Sequence, residues 1–309
     1  MKSHDELLGA LSGMRRARIG GRRAPHKPLL VLWLLGRFVA TGSTAVTYAE
    51  AEEPVSRLIN DFGPAVTSRS RARERAAMPF VHLERSLWDL RDRDGSAIGP
   101  DAPERGNWLR TRAAHGRLRG EVEQLLSAPG ALAATARLLL EQHFTPALEP
   151  IICNAVGLDL AELDDDAFCL PAQGKRRARR AGFAEEVLRA YAYACAVCGY
   201  DGALGRNPAG LEAAHVQWHT HAGPDEVRNG LALCSLHHTL LDLGVLGLLP
   251  DLRIQVSPLY VARSAAGQAI DALHDQPLAK PRPGQPALDV RFVVWHGRQV
   301  FKRPGAQAA

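Results

Sequence analysis

The run Asn229-Gly230-Leu231-Ala232-Leu233-Cys234-Ser235-Leu236-His237-His238, continued by Asp242-Leu243-Gly244, decides the reading of this chain. Its Cys234-x-x-His237 pair answers a second close pair upstream, Cys195-Ala196-Val197-Cys198-Gly199. Two residues between the members of a pair let one turn clamp an ion without strain. Two such pairs closing on one another supply the four tetrahedral ligands of a structural zinc site. Unrelated core thiols beside a surface histidine would not need this spacing twice.

Between the pairs lies Leu211-Glu212-Ala213-Ala214-His215-Val216, then Gly223-Pro224-Asp225-Glu226 leading to Asn229. A strand ending in histidine, a loop, an asparagine before a short strand, and a helix carrying His238 follow in order. Over residues 195–247 this resembles the ββα-metal fold of HNH endonucleases, with His215, Asn229 and His238 as the three named letters. The resemblance implies the roles. His215 is the general base that activates water for phosphodiester hydrolysis, since a neutral imidazole can serve near pH 7. One hard divalent ion, Mg2+ or Mn2+, stabilises the phosphate and the leaving 3′-oxygen, with His238 as a ligand. Asn229 holds the His215 ring or the loop. Many HNH enzymes carry Asp directly before the first histidine; here Ala214 stands there. Asp242 is the candidate second ligand, with Glu212 or water left open.

Other histidines and cysteines get plainer readings. For His219 and His221, in the loop, phosphate contact competes with a simple surface role. His143, His274 and His296 read as surface or satisfied core groups, and Cys153 and Cys169 as buried thiols.

The chain has 309 residues, 46% hydrophobic and 23% charged, with a formal net charge of +5. That is enough for two domains with their own cores, and the charge suits a polyanion without proving one. Met1-Lys2-Ser3-His4-Asp5-Glu6 has no apolar run behind it, and residues 29–35 are too few to span a bilayer. A cytoplasmic location with no membrane partner is therefore expected, and there the five cysteines read as ligands or free thiols.

Periodicity predicts helices over 4–17, with Leu7, Leu8, Leu11 and Met14 on one face, over 29–38 behind Pro25 and Pro28, and over 49–62 up to Gly63-Pro64. A basic Gly20-Gly21-Arg22-Arg23 loop separates the first two. Arg69, Arg71, Arg73 and Arg75 alternate. Pro79-Phe80-Val81-His82-Leu83 begins a strand-like stretch that Leu87-Trp88-Asp89-Leu90 continues, and Asp94-Gly95 signals a hairpin turn. Helical segments follow at 117–127 and 130–144, and residues 288–301 have strand character. No fixed period repeats. The basic, polar stretch around Lys175-Arg176-Arg177-Ala178-Arg179-Arg180 is read as a linker. The domain plan is thus 1–165, a linker at 166–182, and 183–309. The expected class is α+β: a mainly helical DNA-reading domain with a short hairpin, then a zinc-stapled ββα-metal nuclease domain with a C-terminal extension.

Pro25-His26-Lys27-Pro28-Leu29-Leu30-Val31-Leu32-Trp33-Leu34-Leu35-Gly36-Arg37, together with Met78-Pro79-Phe80-Val81-His82-Leu83 before Trp88, resembles the sulfur-binding domain of McrA-type restriction enzymes that cut phosphorothioated DNA. The likeness spans roughly 1–150; Met78 replaces the family's usual aromatic. It implies double-stranded, phosphorothioate-modified DNA as partner, with contacts at His26, Arg71, Arg73, Pro79, His82, Arg105 and Arg110. The physics agrees: sulfur is larger, softer and less hydrated than oxygen, so its reader wants an apolar wall, such as the Pro79 ring, beside cationic donors. His26 and the Arg69–75 cluster can supply those. Two other readings stay open, a reader of modified bases and a zinc-ribbon protein that no longer cuts. The presence of His215, Asn229 and His238 argues against the second. A homodimer stays open as well.

Overall fold

The computed structural model describes residues 3–15, 18–19, 22–64, 66, 68–159 and 182–304. The chain divides into two compact units, residues 1–174 and 175–304. The linker expected at 166–182, and Cys169 within it, lie outside the described residues save Gly182. Among the described residues no helix is long and apolar enough to cross a membrane.

In the first unit the elements run α1 (His4–Ser12), β1 (Arg18–Ile19), β2 (Arg22–Arg23), α2 (His26–Thr41), β3 (Val46–Thr47), α3 (Tyr48–Phe62), α4 (Arg69–Arg73), α5 (Ala77–His82), β4 (Trp88–Arg91), α6 (Gly106–Thr111), β5 (His115–Leu118), α7 (Gly120–Leu126), α8 (Ala131–His143) and α9 (Glu149–Val156). α2 is the hub. Leu29, Leu30, Leu32, Leu34 and Leu35 are fully buried, and α3, α5, α8 and α9 pack around it. Gly36 lets α9 close in, because a Cβ there would sit 1.7 Å from the Val156 carbonyl oxygen. α3 begins with a reciprocal cap between Thr47 and Glu50, which satisfies two otherwise unpaired amides.

β3, β5 and β4 form an antiparallel sheet in that order. The Trp88 ring lies over Gly116, where any side chain would collide with it. Tyr48, Phe80 and Trp88 pack edge to face at 5.3 Å each, and Trp88 Nε1 donates to the Phe80 carbonyl. The turn expected at Asp94-Gly95 is present, with Gly95 at φ +77° and Arg91 bridging Ala97.

Three sequence expectations are corrected here. Residues 79–83 do not begin a strand; 77–82 are helical. Pro79 falls in the first turn, where a missing amide hydrogen costs nothing, and Ala77, Phe80 and Val81 bury together against α2. The first helix stops at Ser12, capped by Gly13. The helix expected at 117–127 starts at Gly120, because His115–Leu118 pairs with β4.

The second unit runs α10 (Phe183–Ala190), β6 (Ala203–Leu204), β7 (Asn207–Pro208), β8 (Leu211–His215), β9 (Gly230–Cys234), α11 (Ser235–Asp242), β10 (Leu246–Leu248), β11 (Ile254–Val256), α12 (Ala265–Gln268) and α13 (Val290–Gln299). β8 and β9 pair antiparallel from Leu211↔Cys234 to His215↔Gly230, and α11 leaves β9 with no loop between. The strand expected at 288–301 is instead α13. Its β-branched valines suggested extension, but Phe292, Val293, His296 and Gln299 are the buried positions, a helical spacing. Asp289 caps its first turn by accepting from the Arg291 amide.

Candidate active site and metal centres

Cys195, Cys198, Cys234 and His237 converge so that their ligand atoms lie within 4.8 Å of one another. His237 Nδ1 is 3.5 Å from Cys195 Sγ and 3.2 Å from Cys234 Sγ. A tetrahedral zinc with ordinary Zn–S and Zn–N bonds sets that edge at about 3.6 Å. The donor set also asks for a cation. Burial, and the nearby Cys195 and Cys234 sulfurs, push the Cys198 thiol up to about 12. Burial would raise Cys195 too, but hydrogen bonds from His237 and backbone amides outweigh it and bring that thiol down to about 6. Three thiolates this close would repel one another, and a dication among them removes the conflict. An ion there would pin the end of β9 and the first turn of α11 to the Cys195-Cys198 knuckle.

The three motif residues lie on the ββα unit. His215 ends β8. α10 packs against it because Gly230 leaves room: a Cβ there would sit 2.4 Å from Val187. Phe183 stacks on the His215 ring at 4.2 Å and 20°. On the other side His215 Nε2 meets Asp225 Oδ1 at 2.8 Å, and His219 Nε2 is 3.7 Å from the second Asp225 oxygen. His221 packs against Trp218 and Trp295.

Asn229 is fully buried. Its Oδ1 accepts from the Gln217 amide at 2.8 Å, and its Nδ2 donates to the Gln217 and Pro224 carbonyls at 2.9 and 3.0 Å. Of the two roles that the sequence left to Asn229, these bonds serve the loop.

His238, on α11, uses both ring nitrogens. Nδ1 is 2.5 Å from Glu212 Oε2, and Nε2 is 3.4 Å from Asp242 Oδ2, one helical turn on. The His238 hydrogen bond is the main reason the Glu212 carboxyl falls to about 2; burial opposes it and the Ser235 hydroxyl assists. Glu212 shares the strand face of Ala214, two residues along.

In the first unit, Arg71, Arg73 and Arg105 are exposed. α4 is fixed to α3 by Ser56 Oγ donating to the Arg73 carbonyl and Asn60 Nδ2 to that of Ala72. Arg75, expected among the cationic donors, is instead buried at 7% exposure. It donates to the Ile59 and Pro64 carbonyls, to Asn60 Oδ1 and to His26 Nε2, and burial lowers its guanidinium to about 10. His26 is therefore inside, holding Arg75, and Pro79 is buried in α5. His82 pairs with Glu104 at 2.7 Å, and exposed Arg110 pairs with Glu52. Sequence reasoning missed Asp225, Glu212 as a partner of His238, and the His26–Arg75 contact. The acid inside Gly223-Pro224-Asp225, ahead of Asn229, was the available signal for the first.

A two-stranded β-unit feeding a histidine-bearing helix, beside a Cys3His cluster, defines a metal-dependent nuclease of the HNH class, and residues 195–248 match the HNH endonuclease family. Residues 4–161, just over half of the chain, match the ScoMcrA-like DNA sulfur-binding domain; the chain belongs to that family. Solved structures similar to it include the sulfur binding domain of SprMcrA complexed with phosphorothioated DNA, at 22% identity and TM-score 0.41, covering 51% of this chain and 95% of that one. The corresponding ScoMcrA domain complex matches at 23% and 0.41, covering 50% and 96%. The Type IV phosphorothioation-dependent restriction endonuclease ScoMcrA matches at 23% and 0.38, covering 50% of this chain but 32% of its own. None of the curated proteins matches this chain.

Proposed function

We propose that this chain is a modification-dependent restriction endonuclease that reads phosphorothioated double-stranded DNA and hydrolyses its phosphodiester bonds. The observation that carries the proposal is the joining, in one chain, of a DNA sulfur-binding domain and an HNH unit with His215, Asn229 and His238 all in place.

Zn2+ fits the Cys195, Cys198, Cys234 and His237 cluster as a structural ion. The catalytic ion, Mg2+ or Mn2+, would be held by His238 Nε2 and Asp242, whose 3.4 Å separation suits two ligands of one ion. Glu212 sits on the other ring nitrogen, where a carboxylate fixes the tautomer of a ligating histidine and makes it more basic. When bound, the ion polarises the phosphate and stabilises charge on the leaving 3′-oxygen. His215 takes a proton from water, the water oxygen bonds to phosphorus, the bond to the 3′-oxygen breaks, and that oxygen is protonated from solvent. One site breaks one bond per turnover, so cutting both strands takes two turnovers or two copies, and a homodimer would bring two copies together.

For DNA reading, exposed Arg71, Arg73 and Arg105 serve as phosphate contacts. His26 acts through Arg75, which fixes the stage on which α4 sits. His82 and Arg110 complete the proposed contact set, with Pro79, buried in α5, contributing from beneath that surface.

The test uses the full chain as the His215→Ala variant, titrated with paired duplexes differing by one sulfur atom at two salt concentrations. Tighter binding of the sulfur duplex is expected, by about 1–3 kcal/mol if one pocket discriminates as one specific base contact does. Arg71→Ala and Arg73→Ala should weaken binding to both duplexes and flatten the salt dependence. Wild-type protein with Mn2+ should cut phosphorothioated plasmid only. Equal affinity and equal cutting would reject sulfur reading while leaving the nuclease assignment intact.

A further inference from the structure

We infer that Asp225 is the positioning residue of the nuclease: it holds the proton on His215 Nε2, so that Nδ1 is the nitrogen that takes the proton from water. This rests on His215 being the base, as proposed above.

The contact is close, at 2.8 Å between Asp225 Oδ1 and His215 Nε2, and secluded, with side chains only 11% and 8% exposed. An ionised carboxylate can only accept hydrogen bonds. Nε2 facing it must therefore carry a hydrogen, which leaves the lone pair of a neutral ring on Nδ1. Tautomer choice by the partner of the other nitrogen is a general property of imidazole. Stacking on Phe183 at 20° fixes the plane of the same ring. Plane and tautomer are thus set by two different neighbours, and the remaining nitrogen has a defined direction.

Asn229 cannot do this work, because its amide is engaged with Gln217 and Pro224. It acts one step further back. The Pro224 carbonyl that it grips belongs to the peptide bond leading into Asp225. Gly223, before Pro224, packs so tightly that a Cβ would fall 1.7 Å from the Gln217 carbonyl oxygen. Asn229 therefore places Asp225, and Asp225 places His215. During the reaction the proton from water goes to Nδ1 and the new oxygen–phosphorus bond forms as the bond to the leaving oxygen breaks. Asp225 stays ionised and stabilises the imidazolium that results. This is the division of labour in other acid–histidine pairs.

The experiment starts from Asp225→Asn in the full chain. An asparagine can turn its NH2 toward Nε2 and force the proton onto Nδ1. Cleavage kcat should fall by about 10²–10⁴, with KM for duplex changed less than about threefold. Zinc content and thermal unfolding should match wild type, and Asp225→Glu should recover part of kcat. In a His215→Ala background, Asp225→Asn should cost nothing more, because the residues act as one unit. Isotope-labelled histidine gives a readout independent of activity: the nitrogen resonances of His215 should show a protonated Nε2 and a bare Nδ1 in wild type, and lose that preference in Asp225→Asn. Wild-type protein with the proton on Nδ1 would overturn the inference, as would a kcat within threefold of wild type in a folded Asp225→Asn variant, or full additivity with His215→Ala. Active His215→Ala protein would instead remove the base assignment itself, and this role with it.

Discussion

Replacing Asn229 by alanine separates a loop clamp from a group that touches substrate. The side chain is fully buried, and its three hydrogen bonds run to the Gln217 amide, the Gln217 carbonyl and the Pro224 carbonyl at 2.8–3.0 Å. The amide orientation is forced, since one backbone donor faces Oδ1 and two backbone acceptors face Nδ2. Each bond contributes about 1 kcal/mol net, and more where the abandoned partner stays dry. Gln217 and Pro224 are half-buried, so water can reach part of what is left. Asn229→Ala should therefore cost about 3 kcal/mol, lowering the Tm of the nuclease domain by roughly 10 °C. Amide exchange at Gln217 and Val216 should speed up with it, because the Val216 amide bonds to the Asn229 carbonyl at the same closure. Cleavage at saturating metal should drop at least about a hundredfold as the loop that carries Asp225 loses its place.

The sharper variant is Asn229→Asp. It keeps shape and volume and still accepts from the Gln217 amide, but it sets a carboxylate oxygen against two carbonyls. It should destabilise at least as much as alanine. Were Asn229 a group that touched metal or phosphate, aspartate would be tolerated there or would tighten metal binding. Unfolding within about 1 °C of wild type, combined with lost cleavage in Asn229→Ala, would refute the clamp.

The metals give two more expectations. Purified protein should contain one zinc per chain, and Cys198→Ser or strong chelation should unfold the nuclease domain, because structural zinc binding is folding free energy of about 10 kcal/mol or more; folded, soluble protein without zinc by elemental analysis would contradict this. At the catalytic ion, Asp242→Asn should raise the Mn2+ concentration needed for half-maximal cleavage more than Glu212→Gln, whose loss should be about 10–100-fold; the reverse order would move Glu212 onto the ion.

What could be read from sequence follows from which constraints are local. The Cys195–Cys198 and Cys234–His237 pairs are close in the chain, so their geometry is largely covalent, and the structure brings them together as expected. The Asn229 to Asp242 run carries its own register, strand into helix with no loop between. The His215–Asp225 contact has neither advantage. Its members lie on opposite sides of an irregular loop with no periodicity to align them, and Asp225 looks like any loop acid. The burial of His26 was hidden for a different reason. In sequence it reads as a cationic donor to DNA, yet Arg75, from elsewhere in the chain, bonds its Nε2 on one side and the α3 end, through the Ile59 carbonyl and Asn60, on the other. Residues 79–83 and 288–301 misled because β-branched and aromatic residues fit either a short strand or a buried helix face, and only the neighbours decide.

The two arms of the active site are consequently held by different physics. His238 follows His237, a zinc-cluster residue, on the first turn of α11, and Cys234 caps that helix. Zinc on that cluster would set the position of His238 through ligand bonds, and its ring is oriented by Glu212 and Asp242. His215 is held without any metal ligand: by strand pairing opposite Gly230, the Phe183 stack, the Asp225 carboxylate, and behind that the Asn229 clamp. Bonds to zinc are strong and break together, whereas three half-buried hydrogen bonds can loosen one at a time. On the proposed roles, the His238 arm would be the rigid reference, and the His215 arm the part whose geometry a single loop substitution can move. Damage to Asn229 or Asp225 should therefore appear in kcat at saturating metal, and damage around Asp242 in the metal requirement, even though both arms serve one phosphodiester.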